Sequence, residues 1–199
     1  MLKSKELFWQ VTRQIKLDES RDEIESMVYL LLEKVLGLSK ADIVANSEIE
    51  LPHEAELTNA IHRINQQEPI QYIIEEADFY GRAFFVNKSV LIPRPETELL
   101  VSTIIKNTPS HASILDVGTG SGCIAITLSL ELPSSHVTAV DISEPALTIA
   151  KKNHSTLGGS VNFIMADIFQ NQIPISELDI IVSNPPYISK SEKAFLKKM

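Results

Sequence analysis

Ile114-Leu115-Asp116-Val117-Gly118-Thr119-Gly120-Ser121-Gly122, followed by Cys123-Ile124-Ala125-Ile126-Thr127-Leu128, decides the fold of this 199-residue chain. The apolar run predicts a short buried strand, the glycines a tight turn, and the residues after them the start of a helix. Backbone N–H groups at such a start favour polar or anionic ligand groups. The spacing is G-x-G-x-G and not the G-x-G-x-x-G of dinucleotide sites, which disfavours a nicotinamide cofactor. A second strand, 136–140, ends in Asp141, about 20 residues beyond the glycines, where an open α/β sheet presents an acid to ribose hydroxyls. A third strand, 161–165, runs into Ala166-Asp167-Ile168, placed for an adenine amino group. Either aspartate taken singly reads as a helix N-cap or a solvated loop acid. At successive strand ends, in this order, they read as one nucleoside site. Its candidate residues are Gly118, Thr119, Gly120, Ser121, Gly122, Asp141, Asp167 and Ile168.

A fourth strand, 179–183, carries Ile180, Ile181 and Val182, an apolar run suited to a strand covered on both faces. It ends in Asn184-Pro185-Pro186-Tyr187. The two prolines fix their own φ angles and supply no N–H donors, and each disfavours a helical conformation in the residue before it. The turn is therefore stiff, with the Asn184 side chain and the Asn184 and Pro185 carbonyls held as acceptors. Such a site suits a planar NH2 group: two acceptors for its hydrogens, and the Tyr187 ring against its π-face. By itself the tetrapeptide reads as a strand-ending turn. Downstream of the glycine loop it reads as the reacting centre, with Asn184, Pro185 and Tyr187 as catalytic candidates. Pro186 joins them in holding substrate, and Asn184 also reaches the cofactor.

Glycine loop, Asp141, Asp167 and the Asn-Pro-Pro-Tyr turn together resemble an S-adenosylmethionine-dependent methyltransferase acting on an exocyclic or amide nitrogen. Three further segments narrow the resemblance: Glu68-Pro69-Ile70-Gln71-Tyr72, Ala77-Asp78-Phe79-Tyr80-Gly81, and Leu91-Ile92-Pro93-Arg94-Pro95-Glu96-Thr97-Glu98. With them, residues 66–189 resemble the bacterial peptide chain release factor N5-glutamine methyltransferases. Glu75 departs from the pattern, standing where that family has glycine before the Glu-Ala pair, which alters a turn and not the chemistry.

The resemblance implies S-adenosylmethionine as cofactor, a class 1 release factor as partner, the glutamine of its Gly-Gly-Gln motif as methyl acceptor, and a cytoplasmic location. It puts Arg94 and Glu96 beside the active site. As residues, these two read equally as a capped helix start with a surface ion pair. It also implies a Rossmann-like class I methyltransferase sheet of seven strands ordered 3-2-1-4-5-7-6, of which only strands one to four can be placed. The expectation is an α/β chain with an incomplete sheet, truncated at its C-terminus, with 191–198 as a partial helix. Strand four then has an unpaired edge, and either self-association through it or a mobile C-terminal half is expected.

Composition sets the remaining bounds. Hydrophobic residues make up 44% and charged residues 22%, the balance of a folded globular chain. No apolar run approaches a membrane span, and the N-terminus lacks the core of a signal peptide. The one cysteine excludes an internal disulfide, and the five histidines show no metal-ligand spacing. Cys123 reads as a small core residue. A net charge of −8 without a basic stripe argues against direct DNA binding and so disfavours the alternative of a nucleic-acid amino-methyltransferase; a truncated, non-catalytic fragment that binds cofactor or release factor is the other alternative.

Residues 1–75 read as a helical bundle, and the resemblance implies that this domain recognises the substrate. Ser20-Arg21-Asp22-Glu23 is a capping-box signature ahead of Ile24, Met27, Val28, Leu31, Leu32 and Val35. Gly37 is a stop, Ser39 to Asp42 another start, and Leu57, Ile61 and Ile64 a further apolar stripe. Residues 76–95 read as a β-hairpin linker, and 96–199 as the cofactor-binding domain.

Overall fold

The computed structural model describes residues 2–50, 53–109, 111–170, 173 and 177–185, and the chain divides between Glu76 and Ala77 into two units. The first is mainly helical: β1 (Leu2–Lys3), α1 (Ser4–Gln14), α2 (Arg21–Leu36), α3 (Lys40–Ala45), β2 (Glu48–Ile49), α4 (Glu54–Asn65) and α5 (Ile70–Ile74). Ser20 opens α2 with a complete capping box, its hydroxyl accepting from Glu23 N–H while the Glu23 carboxylate accepts from Ser20 N–H. Ser39 and Asp42 repeat the device at α3. Gly37 closes α2 by donating its N–H to Glu33 O. The stripes meet in one core, where Val28, Leu31, Leu32 and Ile64 are fully buried with Phe8 and Val11 of α1. The antiparallel pairing of Leu2 with Ile49 and Lys3 with Glu48 is absent from the sequence reading, because two-residue strands are too short to show a period.

The second unit begins with a hairpin, β3 (Glu76–Phe79) and β4 (Arg82–Phe85). Tyr80 and Gly81 join them with φ of 51° and 71°, the paired positive values of the turn that matches strand twist. Phe79 and Phe84 enter the core of this unit. After α6 (Pro95–Asn107) come β5 (Ser113–Val117), α7 (Cys123–Glu131), β6 (His136–Asp141), α8 (Glu144–Leu157), β7 (Val161–Met165) and β8 (Ile180–Ser183). The last four strands form one parallel sheet in the order β7-β6-β5-β8. Parallel neighbours require crossover connections, and α7 and α8 supply two of them. Every residue of α7 from Cys123 to Ser129 is buried, so this helix is covered around its whole girth and sits inside the unit.

One expectation for the fourth strand is corrected. Ile181 is 66% exposed while Val182 is buried. Side chains alternate across a strand, and among the described residues only the Val182 face of β8 is covered. Among those residues β8 also pairs with one strand, β5. Pro186, Tyr187 and the 191–198 segment lie outside the described residues.

Candidate active site

Pairing between β5 and β8 fixes where Asn184 can be. At one end Ser113 N–H donates to Asp179 Oδ2 at 2.8 Å and Asp179 N–H donates to Ser113 O at 2.9 Å. At the other, Ser183 Oγ donates to Val117 O at 2.8 Å. With both ends pinned, Val117 sits opposite Ser183. Gly118 and Asn184 then leave the sheet side by side from the C-terminal edge, where open α/β sheets bind ligands.

The glycine loop is held from below and from the side. Gly118 and Thr119 donate their N–H groups to Val140 O at the end of β6. Gly120 N–H donates to Asp141 Oδ2 at 2.9 Å, and Ser143 N–H donates to Asp141 Oδ1 at 2.9 Å. Each carboxylate oxygen of Asp141 thus keeps one lone-pair site for a ligand hydroxyl. Beneath the loop, Thr119 Oγ1 donates to the buried Asp116 Oδ2 at 2.6 Å. Asp116 Oδ1 has no hydrogen-bond partner among the described residues. Burial pushes the Asp116 carboxyl up to about 6, against the opposing pull of the Thr119 hydroxyl and the Ala125 amide.

The three loop glycines divide in their surroundings. Gly118 has φ of +72°, and a Cβ built there meets nothing within 4 Å. Gly120 is equally open. A Cβ on Gly122 would instead lie 3.1 Å from Ala150 Cβ on α8. Gly122 is therefore the point where α7 and α8 pack together, while Gly118 and Gly120 face open space.

Two clefts meet at Gly118. One is lined by Gly118 to Ser121, Cys123, Leu91, Ile92, Thr97 and Asn184. The other is lined by Gly118, Asp141 and Asp167 together with Ile142, Ile168 and Phe169. Phe169 is 92% exposed, so this second cleft has an apolar rim around two acids. Asp167 Oδ1 accepts from Phe169 N–H at 2.9 Å, which shapes the loop after β7. Burial pushes the Cys123 thiol up to about 12, so it stays protonated at neutral pH and is no nucleophile.

The structure brings Gly118, Thr119, Gly120, Ser121, Asp141, Asp167, Ile168 and Asn184 to these clefts, with the exposed Pro185 following Asn184. Arg94 and Glu96 are exposed at the start of α6, are absent from the cleft lining, and form no ion pair among the described residues. The residue of that segment that does reach the cleft is Thr97, which is buried and accepts from Asn184 Nδ2 at 2.8 Å. Its signal was available: it follows Pro95 by two residues, on the inward side of a helix whose first turn is otherwise charged.

Asn153 of α8 is a second residue the sequence reading missed. Its Oδ1 accepts from Phe85 N–H at 2.7 Å, and its Nδ2 donates to Phe85 O and Ser121 O, both at 2.9 Å. One buried amide therefore ties hairpin, glycine loop and α8 together.

Comparison with known proteins gives two family matches: Methyltransferase small domain over residues 94–198, and PrmC N-terminal domain over residues 6–74. Among curated relatives, a release factor glutamine methyltransferase of Bacteroides thetaiotaomicron is 46% identical over 175 residues, covering 86% of this chain and 63% of the relative. Its counterpart in Flavobacterium psychrophilum is 43% identical over 183 residues, covering 88% and 64%. That of Chlorobaculum tepidum is 43% identical over 197 residues, covering 92% and 66%. The chain thus spans somewhat less than two thirds of the length of these relatives.

Proposed function

The chain belongs to the methyltransferase small domain family, and from that premise we propose that it methylates a glutamine side-chain amide nitrogen in a class 1 peptide chain release factor. The observation that carries the reading is Asn184 at the C-terminal end of β8, lining the same cleft as Gly118 and Gly120. Its Oδ1 takes no hydrogen bond from the described residues.

The residues present fit S-adenosylmethionine. Gly118 and Gly120 leave open the space that side chains would fill. The adjoining cleft pairs Asp141 and Asp167 with an apolar rim of Ile142, Ile168 and Phe169, the mixture that a ribose and an adenine require. Asp141 would hold the ribose hydroxyls and Asp167 the adenine amino group. When bound, this cofactor supplies an electrophilic methyl group.

The chain's own residues then have one task, which is to make a poor nucleophile reactive. An amide nitrogen delocalises its lone pair into its carbonyl. Asn184 Oδ1 and the Pro185 carbonyl accept its two N–H bonds, which aims the lone pair and stabilises positive charge as it develops on nitrogen. Fixing both reactants in near-attack geometry supplies much of the rest, since effective molarities reach about 10⁵ M or more. No general base is needed before transfer, because the methylated nitrogen is acidic enough to release its proton to water. Residues 6–74, matching the PrmC N-terminal domain, serve to hold the release factor.

The test is mass spectrometry of a release factor incubated with this chain and S-adenosylmethionine, beside Asn184→Ala. The expected result is one added methyl on a glutamine-bearing peptide, with turnover reduced about 10²–10³-fold in the variant and cofactor affinity little changed. Methylation of a DNA substrate in its place, or near-normal turnover by Asn184→Ala, would overturn the reading.

A further inference from the structure

We infer that Thr97 is a positioning residue for this reaction: its hydroxyl, bonded to Asn184 Nδ2, anchors the carboxamide beside the glycine cleft, where Asn184 Oδ1 meets the acceptor amide. The inference rests on the methyl-transfer reading above and names the residue that holds in place the side chain on which that reading depends.

A carboxamide has an acceptor at one end and two donors at the other, on atoms of nearly equal size. Shape alone therefore does not choose between its two orientations. In the reversed one, Nδ2 would meet the N–H groups of the bound amide, donor against donor, and one of the two acceptors for the substrate would be gone. A hydroxyl both donates and accepts, so the bound amide selects which end of the carboxamide faces it, and the partner that anchors the carboxamide for that choice must itself be immobile.

Thr97 meets that requirement. It is 5% exposed, and its χ1 is stiff because the side chain branches at Cβ. Pro95 opens α6, and Thr97 N–H donates back to Arg94 O at 2.9 Å. One residue on, Glu98 Oε1 accepts from Tyr80 N–H at 2.8 Å, which ties the first turn of α6 to the hairpin. On the other side Asn184 follows a strand whose register is fixed at both ends. The 2.8 Å Nδ2···Oγ1 bond thus joins two rigid supports 87 residues apart, and both side chains line the cleft beside Gly118.

The test compares Thr97→Val, which keeps the shape and loses the hydroxyl, with Thr97→Ser, which keeps the hydroxyl. In the ¹⁵N-asparagine-labelled chain, the Asn184 side-chain amide is identified by its loss in Asn184→Ala. One of its protons should be shifted downfield and exchange slowly with water in the wild type and Thr97→Ser, and lose both properties in Thr97→Val. Thr97→Ala is the substitute should the valine variant fail to fold. This comparison needs no turnover and decides by itself: an unchanged resonance in Thr97→Val overturns the inference.

Kinetics extend it. Thr97→Val should lower kcat for methyl transfer to release factor by about 10- to 100-fold. KM for both substrates and the melting temperature should match those of Thr97→Ser, in which kcat is restored. Turnover surviving in Asn184→Ala would remove the methyl-transfer reading. Turnover lost there while Thr97→Val equals Thr97→Ser would remove only the role of Thr97.

Discussion

Gly118 and Gly122 have the same backbone conformation and opposite surroundings, so alanine at each should fail in a different way. An L-residue in the left-handed region costs about 1–2 kcal/mol, and both positions carry that term, with φ of +72° and +81°. At Gly122 the added Cβ would also lie 2.9 Å from Ile126 Cδ1, 3.1 Å from Ala150 Cβ and 3.4 Å from Ala150 Cα. The Ile126 methyl can rotate aside. Ala150 cannot, because its Cα and Cβ belong to the frame of α8. Overpacking of this kind adds about 1–3 kcal/mol, which brings Gly122→Ala to about 2–5 kcal/mol of lost stability. At Gly118 the Cβ meets no protein atom within 4 Å, so the loss stays near 1–2 kcal/mol. That Cβ instead enters the meeting point of the two clefts, where the cofactor would lie. For a chain of this size the two variants should melt about 4–20 °C and about 2–8 °C below the parent, respectively. Urea unfolding with calorimetry of S-adenosylhomocysteine binding separates stability from affinity. Gly118→Ala should lose about tenfold in affinity, since a steric clash costs about 1–3 kcal/mol and tenfold corresponds to about 1.4 kcal/mol. Equal stability of the two variants, or parental affinity in Gly118→Ala, would refute the assignment of one glycine to ligand and the other to packing.

Three further outcomes follow from particular residues. Asp141→Ala should weaken S-adenosylhomocysteine binding by roughly 1.5–3 kcal/mol through lost charge-assisted hydrogen bonds; unchanged calorimetry would remove it from the ribose site. Glu75 occupies the left-handed cap position of α5 with φ of 56°, so Glu75→Gly relieves about 1–2 kcal/mol of backbone strain against about 0.5–1 kcal/mol of added unfolded-state entropy. A net gain of about 0.5–1 kcal/mol is expected, and a lower melting temperature would show that the Glu75 attraction to Arg63 is the larger effect. Burial raises the Asp116 carboxyl from the ordinary 3.8 to about 6 in the fold. Between those values the folded state holds a proton that the unfolded state has released, so this group's contribution falls as pH rises and is level above about 6. Asp116→Asn should therefore gain stability relative to the parent from about pH 4 to about pH 6, read from denaturant midpoints, and a pH-independent difference would exclude burial of the charge as the cause.

The strand-end order was legible because each piece of it is local. Asp141 and Asp167 follow apolar runs directly, and parallel strands joined by crossovers bring successive C-terminal ends to one edge. The two capping boxes were legible for the same reason, since Ser20 with Glu23 and Ser39 with Asp42 are complete within four residues. The glycines were only half legible. G-x-G-x-G makes Gly118, Gly120 and Gly122 look equivalent, and the approach of Ala150 from another helix separates them. Arg94 and Glu96 were placed beside the site by the resemblance alone, yet in a helix start the charged residues face water and Thr97 turns inward. The exposure of Ile181 was hidden because an apolar run looks alike whether one face is covered or two.

Asn153 and Asn184 show what type alone leaves open. A side-chain amide offers one acceptor atom and two donor hydrogens. In Asn153 all of these are taken by backbone: Oδ1 by Phe85 N–H, Nδ2 by Phe85 O and Ser121 O. A buried amide so satisfied has nothing left for a ligand, and removing it would orphan three backbone groups at about 1–3 kcal/mol each if they stay dry. Its work is to hold the loop. Asn184 is half used, with Nδ2 bound to Thr97 and Oδ1 open beside the glycine cleft. The saturated asparagine fixes the loop beside which the unsaturated one sits, and it is the open Oδ1 of Asn184, beside an Nδ2 that gives one hydrogen to Thr97, to which the proposed reading assigns the substrate amide.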